Sequence, residues 1–306
     1  MQSRKVSYLR GRRLRATRLD INGRPIYGDN AAVVTKGFIT FGMTTNMEEG
    51  EAITVTDANG DSCVNEAAVP TFTGISGEAE FCAVDFALFE MLTGMPVVLD
   101  ENGRAIGITE TTRINLADIN VALELWLGAS SDDAPSTGSE GQFGYILLPF
   151  VGGGVIGDIT IENAGITFTI SNLSTKNGSN WGAGPYNVEL VDGAPAPLST
   201  PIQSGDHRRI QHVEVAPPTV YAGSIPLLDP TDPALTGVTA TATGLSVALA
   251  PQPAGTDPVF YDFGDGSWDL AETGSYTHVY SAAGTYTITA RRGSSTVTTT
   301  VTVTAA

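Results

Sequence analysis

The chain has 306 residues, 42% of them hydrophobic, with 35 glycines, 17 prolines, two cysteines and a net charge of −17. That length fits about two domains with ordinary cores, and two cysteines give neither a disulfide framework nor a metal-ligand spacing. The negative balance argues against a protein that grips nucleic acid over its whole surface, because it repels phosphates at close range. No run of 18 apolar residues occurs, so no membrane-spanning helix is expected. The N-terminus is basic but lacks the apolar stretch of a secretory signal. Cys63 and Cys82 are expected as reduced, buried thiols.

The charge is unevenly placed. Residues 1–36 hold nine Lys/Arg and two Asp/Glu, or +7; the other 270 residues hold seven and 31, or −24. The arginine-rich start, with Arg10, Arg12, Arg13 and Arg15, reads as a basic arm that docks on acidic surface of the same or an adjacent subunit, and the loose alternation between Arg12 and Asp20 fits an extended segment or an edge strand. Ile21-Asn22-Gly23-Arg24-Pro25 carries turn chemistry. Ala31–Phe41 is a strand candidate, broken or bulged at Gly37. Met43–Cys63 is acidic, with Glu48, Glu49 and Glu51, and reads as a long hairpin or arm around a short strand at Ala52–Thr56. Its Asp57-x-Asn59-x-Asp61 spacing has the glycine at the wrong offset for a calcium loop, and no glutamate follows at the twelfth position.

Phe81–Gly94 is the one convincing helix. Phe81, Val84, Leu88, Met91 and Leu92 share a face at a 3.6-residue period. Gly94 suits a left-handed cap, and Pro96 prevents continuation. The other face carries Phe86 and Phe89, which predicts either cover by the chain itself or contact with a neighbouring subunit. Asn102-Gly103 then predicts a hairpin between Pro96–Leu99 and Arg104–Thr109. Asn120–Leu127 is a strand with a buried Trp126, and Ser130–Gly141 is a polar loop. Strands follow at Tyr145–Val151, Ile159–Ile170 (turning at Asn163–Gly165) and Tyr186–Val191. His207, Arg208, Arg209 and His212 close this part. The partition reads as 1–215, a stiff proline-rich linker at 216–235, and a small β-sandwich at 236–306.

No enzyme signature appears. The three histidines, at 207, 212 and 278, form no H-E-x-x-H pattern, and neither a P-loop nor a G-x-S-x-G elbow is present. No cofactor and no metal are expected.

Two resemblances sharpen this reading. Tyr261-Asp262-Phe263-Gly264-Asp265-Gly266, His278-Val279-Tyr280 and Ala283-Gly284-Thr285-Tyr286-Thr287-Ile288 resemble the immunoglobulin-like PKD domain family. Its carboxylates are expected to hold a tight turn, with Tyr280, Tyr286 and Ile288 alternating into a sandwich. Residues 8–215 resemble the major tail (tail tube) proteins of long-tailed phages infecting actinobacteria. The resemblance rests on RGRRLRATRLDINGRPIYG, the acidic hairpin, the helix with LFEMLTG, and WGAGPYNVEL.

The second resemblance implies a mainly β fold: a β-sandwich or barrel with one flanking helix, carrying the immunoglobulin-like module outside. It implies a structural protein of the virion tail, assembled in the host cytoplasm. Hexameric rings of the chain stack into a tube, with a tape measure protein and a tail terminator as partners. Phage DNA passes the lumen without specific binding, and no membrane is involved. Under that reading Arg10, Arg12, Arg13, Arg15, Glu48, Glu49, Glu51, Phe86 and Phe89 are the candidate subunit contacts. Deleting residues 1–18 is then expected to spare folding and stop stacking, and deleting 236–306 to spare the tube. A secreted or surface-binding protein with a PKD module, a capsid decoration protein and a minor tail protein are the alternatives.

Overall fold

The computed structural model describes residues 7–129, 143–159, 167–178 and 180–305. The loop expected at Ser130–Gly141 and the turn at Asn163–Gly165 lie outside the described residues. The chain is mainly β and divides into two compact units, one of residues 1–26 and 32–224, the other of residues 27–31 and 225–306.

The first unit begins with β1 (Tyr8–Arg18), β2 (Gly28–Thr35), β3 (Phe38–Glu48), β4 (Ile53–Thr56), β5 (Ser62–Glu66) and β6 (Thr71–Phe81). Helix α1 (Phe86–Thr93) follows, then β7 (Val97–Leu99), β8 (Ala105–Ile108), β9 (Asn120–Ala129), β10 (Phe143–Gly152) and β11 (Val155–Ile156). The unit closes with β12 (Phe168–Thr175), β13 (Glu189–Val191), β14 (Ala194–Ala196) and β15 (Arg209–Val213). Its main sheet runs β2-β1-β9-β10-β12-β6-β3, with β15 also on β10 and β11 on β12.

This sheet is rolled. Strands sit roughly 4.8 Å apart, so in a flat sheet β1 and β3 would be about 24 Å from each other. Instead the Phe38 ring of β3 lies 2.6 Å from where a Cβ on Gly11 of β1 would stand. Any larger residue at position 11 would force the ring to shift. Inside the roll, Leu14, Val33, Phe81, Leu123, Leu148 and Ile170 meet α1 through Leu88, Phe89, Met91 and Leu92. The period-2 alternation of β9 feeds two layers. Val121, Leu123 and Leu125 enter this core, while Ala122 and Trp126 turn to a second one with Tyr145, Phe150, Trp181, Leu198 and Val213.

Helix α1 is shorter than the sequence suggests. Phe81 ends β6, paired with Phe168 and Phe38. Asp85 caps the helix, its Oδ1 accepting from the Ala87 N–H at 3.0 Å, while Oδ2 accepts from the Gly223 N–H at 3.1 Å. Gly94 takes the left-handed conformation (φ 71°) and its N–H donates to the Glu90 carbonyl, as expected of the C-terminal cap.

Three turns share the sequence Asp-x-Asn-Gly. In each, the side chain of Asp20, Asp57 or Asp100 accepts the amides two and four residues on, at 2.8–2.9 Å. Gly23, Gly60 and Gly103 supply the positive φ, 76–90°, that lets the second strand depart. The Asp57-x-Asn59-x-Asp61 spacing is therefore turn chemistry, with its first carboxylate committed to backbone amides.

The second unit opens with β16 (Ser224–Leu227). Beyond it, β17 (Gly237–Thr243) and β18 (Ser246–Gln252) belong to one sheet, and β19 (Val259–Asp262) and β20 (Trp268–Ala271) to the other. β21 (Tyr276–Val279) adds to the first, giving β17-β18-β21; β22 (Gly284–Arg292) and β23 (Ser295–Val303) complete the second as β20-β19-β22-β23. Val247, Tyr261, Phe263, Tyr280, Ile288 and Val303 form the core between them, an immunoglobulin-like sandwich.

Candidate self-assembly surface

The arginine-rich segment is a strand of the main sheet, which corrects its reading as an arm. β1 pairs with β9 from Tyr8 to Arg18 and with β2 from Leu14 to Thr17. Leu14 and Ala16 are buried in the first core, and Arg15 and Thr17 are buried on the other face, so the strand is covered on both sides from 14 to 17. Deleting residues 1–18 would remove this strand and is now expected to unfold the unit.

The four arginines have separate fates. Arg10 and Arg12 are exposed and Arg13 is half-buried, its Nη1 donating to the Arg12 carbonyl at 2.8 Å. Arg15 is no surface contact. It is buried and forms a two-pronged pair with Glu124, Nε to Oε2 at 2.5 Å and Nη2 to Oε1 at 2.7 Å. Its guanidinium lies 3.2 Å from the centre of the Tyr186 ring and 4.9 Å from that of Trp126. Tyr145 donates to Glu124 Oε1 at 2.6 Å. Burial, then Glu124, pushes the Tyr145 hydroxyl well above its usual pKa, so it stays a neutral donor.

Phe86 and Phe89 also separate. Phe86 is half-buried, whereas Phe89 is 1% exposed and packs against Phe81 and Phe168, at ring separations of 5.6 and 6.1 Å. The expectation that Phe89 faces a neighbour is corrected: the rolled sheet brings β12 over that side of the helix. Cys63 and Cys82 are both exposed, against the expectation of buried thiols.

Glu48, Glu49 and Glu51 lie on a long two-stranded arm. β3 and β6 pair from Phe38–Phe81 out to Glu48–Thr71, and β4 pairs with β5 beyond them. Every residue from Met47 to Thr73 is exposed. The register sets Val55 opposite Val64, with Ile53 two residues away on the same face, and Thr54 opposite Asn65 on the other. This ribbon has an apolar face without a core beneath it. A lone two-stranded ribbon is marginal in water, and Met47, Val69 and Phe72 extend the exposed apolar surface toward its base. Strand alternation in ITVT signalled that surface; the sequence did not reveal that the whole arm stands clear of both cores.

His207 sits near the base of the arm. Its Nδ1 is 2.9 Å from Thr175 Oγ1, and its ring meets Phe72 edge-on at 5.0 Å. Among the described residues no His, Cys, Asp or Glu cluster is arranged to hold a metal ion, and no helix is long and apolar enough to cross a membrane.

In the second unit the Asp-Phe-Gly-Asp-Gly run forms the expected tight turn. Asp262 Oδ1 accepts from the Gly264 N–H at 3.0 Å, and Asp265 Oδ1 from the Ser267 N–H at 2.9 Å. A Cβ on Gly264 would stand 2.4 Å from the Thr287 carbonyl oxygen. His278 stacks on Phe263 at 3.9 Å and reaches Asp265 Oδ2 through Nε2 at 2.9 Å. Burial works against the Asp265 charge, but the Ser267 and His278 contacts outweigh it and hold the carboxyl below its usual pKa. A folded value below the unfolded one, about 3.9, stabilises fully above that pH and fades as pH falls through the folded value. The stabilities of the native chain and of Asp265→Asn should therefore differ at neutral pH and converge once the pH falls below the folded value.

The PKD domain family model matches residues 235–304. Among solved structures, the PKD1 domain of Vibrio anguillarum Epp is similar at 24% identity over 24% of this chain and 99% of that one, with a TM-score of 0.20. The PKD1 domain from Vibrio cholerae metalloprotease PrtV is similar at 25% identity, over 24% and 99%, with a TM-score of 0.19. Comparison with curated proteins gives no significant match. Residues 235–304 of this chain form a PKD domain.

Proposed function

We propose that the chain is a structural protein of a phage tail that assembles with copies of itself into stacked rings, forming the tube through which DNA passes. The PKD domain is displayed on the outside. The observation that carries this reading is the arm of residues 47–73, exposed along its whole length with an apolar face over no core. Charge complementarity favours a second copy as its partner. The arm bears Glu48, Glu49, Glu51, Asp57, Asp61 and Glu66, while Arg10 and Arg12 are exposed on the stretch of β1 that lies beyond its pairing with β2. Opposite charges on one chain steer copies head to tail, a contact that closes into rings or runs on as a stack. Electron microscopy of the purified full-length chain tests this. Hollow tubes of even width support it; a chain that stays monomeric at every concentration overturns it. The PKD domain favours a second reading, a surface-binding protein, which predicts monomers that bind a cell surface.

A further inference from the structure

Lys176 follows β12, where its N–H donates to the Phe150 carbonyl at 2.8 Å. Its half-buried side chain crosses β10 and ends at β9. There Nζ donates to Asn120 Oδ1 at 2.6 Å and to the Ala117 carbonyl at 3.2 Å. The crossing depends on the row Asn120–Gly152–Ser174, whose middle residue has no side chain. Lys176 Cε passes 3.4 Å from where a Cβ on Gly152 would sit. Asn120 is 6% exposed and its Nδ2 donates to the Asp118 carbonyl at 3.2 Å, so both ends of the amide are fixed. The Phe150 ring lies beside the amine, its centre 5.0 Å from Nζ.

We propose that Lys176 and Asn120 become joined by an isopeptide bond that the protein forms unaided. The neutral Nζ attacks Asn120 Cγ, the Cγ–Nζ bond forms, and the Cγ–Nδ2 bond breaks. The amide nitrogen leaves as ammonia, taking one proton from Nζ, and neither oxidant nor cofactor takes part. The proton first lost by the ammonium passes to solvent, which the half-buried amine reaches. Burial lowers the lysine pKa against the pull of Asp118, which enlarges the nucleophilic fraction. Fixing amine and amide in contact replaces a bimolecular encounter with an intramolecular one. The bond ties β9 to β12 across β10, and it is independent of the tail reading.

Intact-mass spectrometry of the purified full-length chain, fresh and after incubation at neutral pH, tests the proposal. The expected mass is below the sequence mass by one ammonia, and a protease digest should yield a branched peptide containing Asn120 and Lys176. Lys176→Arg keeps the charge and should restore the full mass. A native chain that keeps its full sequence mass overturns the bond. So does an ammonia deficit that persists in Lys176→Arg without a branched peptide, because a cyclised Asn-Gly turn loses ammonia too. Should Lys176→Arg fail to fold, the native mass and the branched peptide still decide.

Discussion

Glu124→Gln is expected to lower the stability of the first unit by about 3–5 kcal/mol, the usual cost of leaving one member of a buried ion pair without its partner. Glu124 is wholly buried and accepts from Arg15 twice and from Tyr145 once. Arg15 is only 6% exposed and lies between the Tyr186 and Trp126 rings. Burial disfavours its charge, yet Glu124 more than restores it, and the guanidinium stays protonated with its pKa raised. Removing only the carboxylate's charge strands that cation. Against a typical stability of 5–15 kcal/mol, the loss should move the melting temperature by roughly 6–20 °C. Replacing both partners, Arg15→Met with Glu124→Met, should recover most of the loss, because the desolvation cost of both ions disappears with their attraction. Denaturant unfolding followed by tryptophan fluorescence measures this. A Glu124→Gln chain within 1 kcal/mol of the native one would mean that the pair is hydrated.

That pair is the feature of the arginine-rich segment that its sequence does not disclose. The sequence offers a run of charge, and a run of charge is usually solvated. The partner of Arg15 lies 109 residues away, on a strand whose sequence, NVALELWL, places Glu124 between apolar neighbours without saying what meets it. The loose alternation from Arg12 to Asp20 makes an extended segment or edge strand legible, but not that the strand lies inside the sheet between β2 and β9. The helix shows a different limit. Phe81 fits a helical stripe and a buried strand end equally well, since apolar periodicity over a few residues does not separate them. Asp85, a good N-cap residue, marked the true start. By contrast, the Asn-Gly turns, Gly94, Trp126 and the Asp-Phe-Gly-Asp-Gly turn were all legible. Each depends on local chemistry: a positive φ, a side chain that accepts nearby amides, or an apolar ring on an alternating strand.

Ile53→Asp combined with Val64→Asp is expected to abolish self-assembly while leaving the melting temperature of the subunit nearly unchanged. Both side chains are about half exposed, at 51% and 44%, on a ribbon beyond either core. Substitutions at such sites usually change stability by less than about 0.5 kcal/mol. Their effect on assembly is larger because the two new carboxylates meet a desolvated contact, and because every copy in a repeating stack carries the defect. Phe89→Asp is the control that separates surface from core. Phe89 packs on Phe81 and Phe168 inside the roll, so a buried unpaired carboxylate there should unfold the unit, and any loss of assembly would follow from loss of folding. Sedimentation velocity reports assembly and thermal melting reports folding on the same samples. Long assemblies persisting in the double variant would mean that the arm is not the contact between copies. A large fall in its melting temperature would mean that the ribbon folds back on its own subunit, leaving no apolar face for a neighbour to cover.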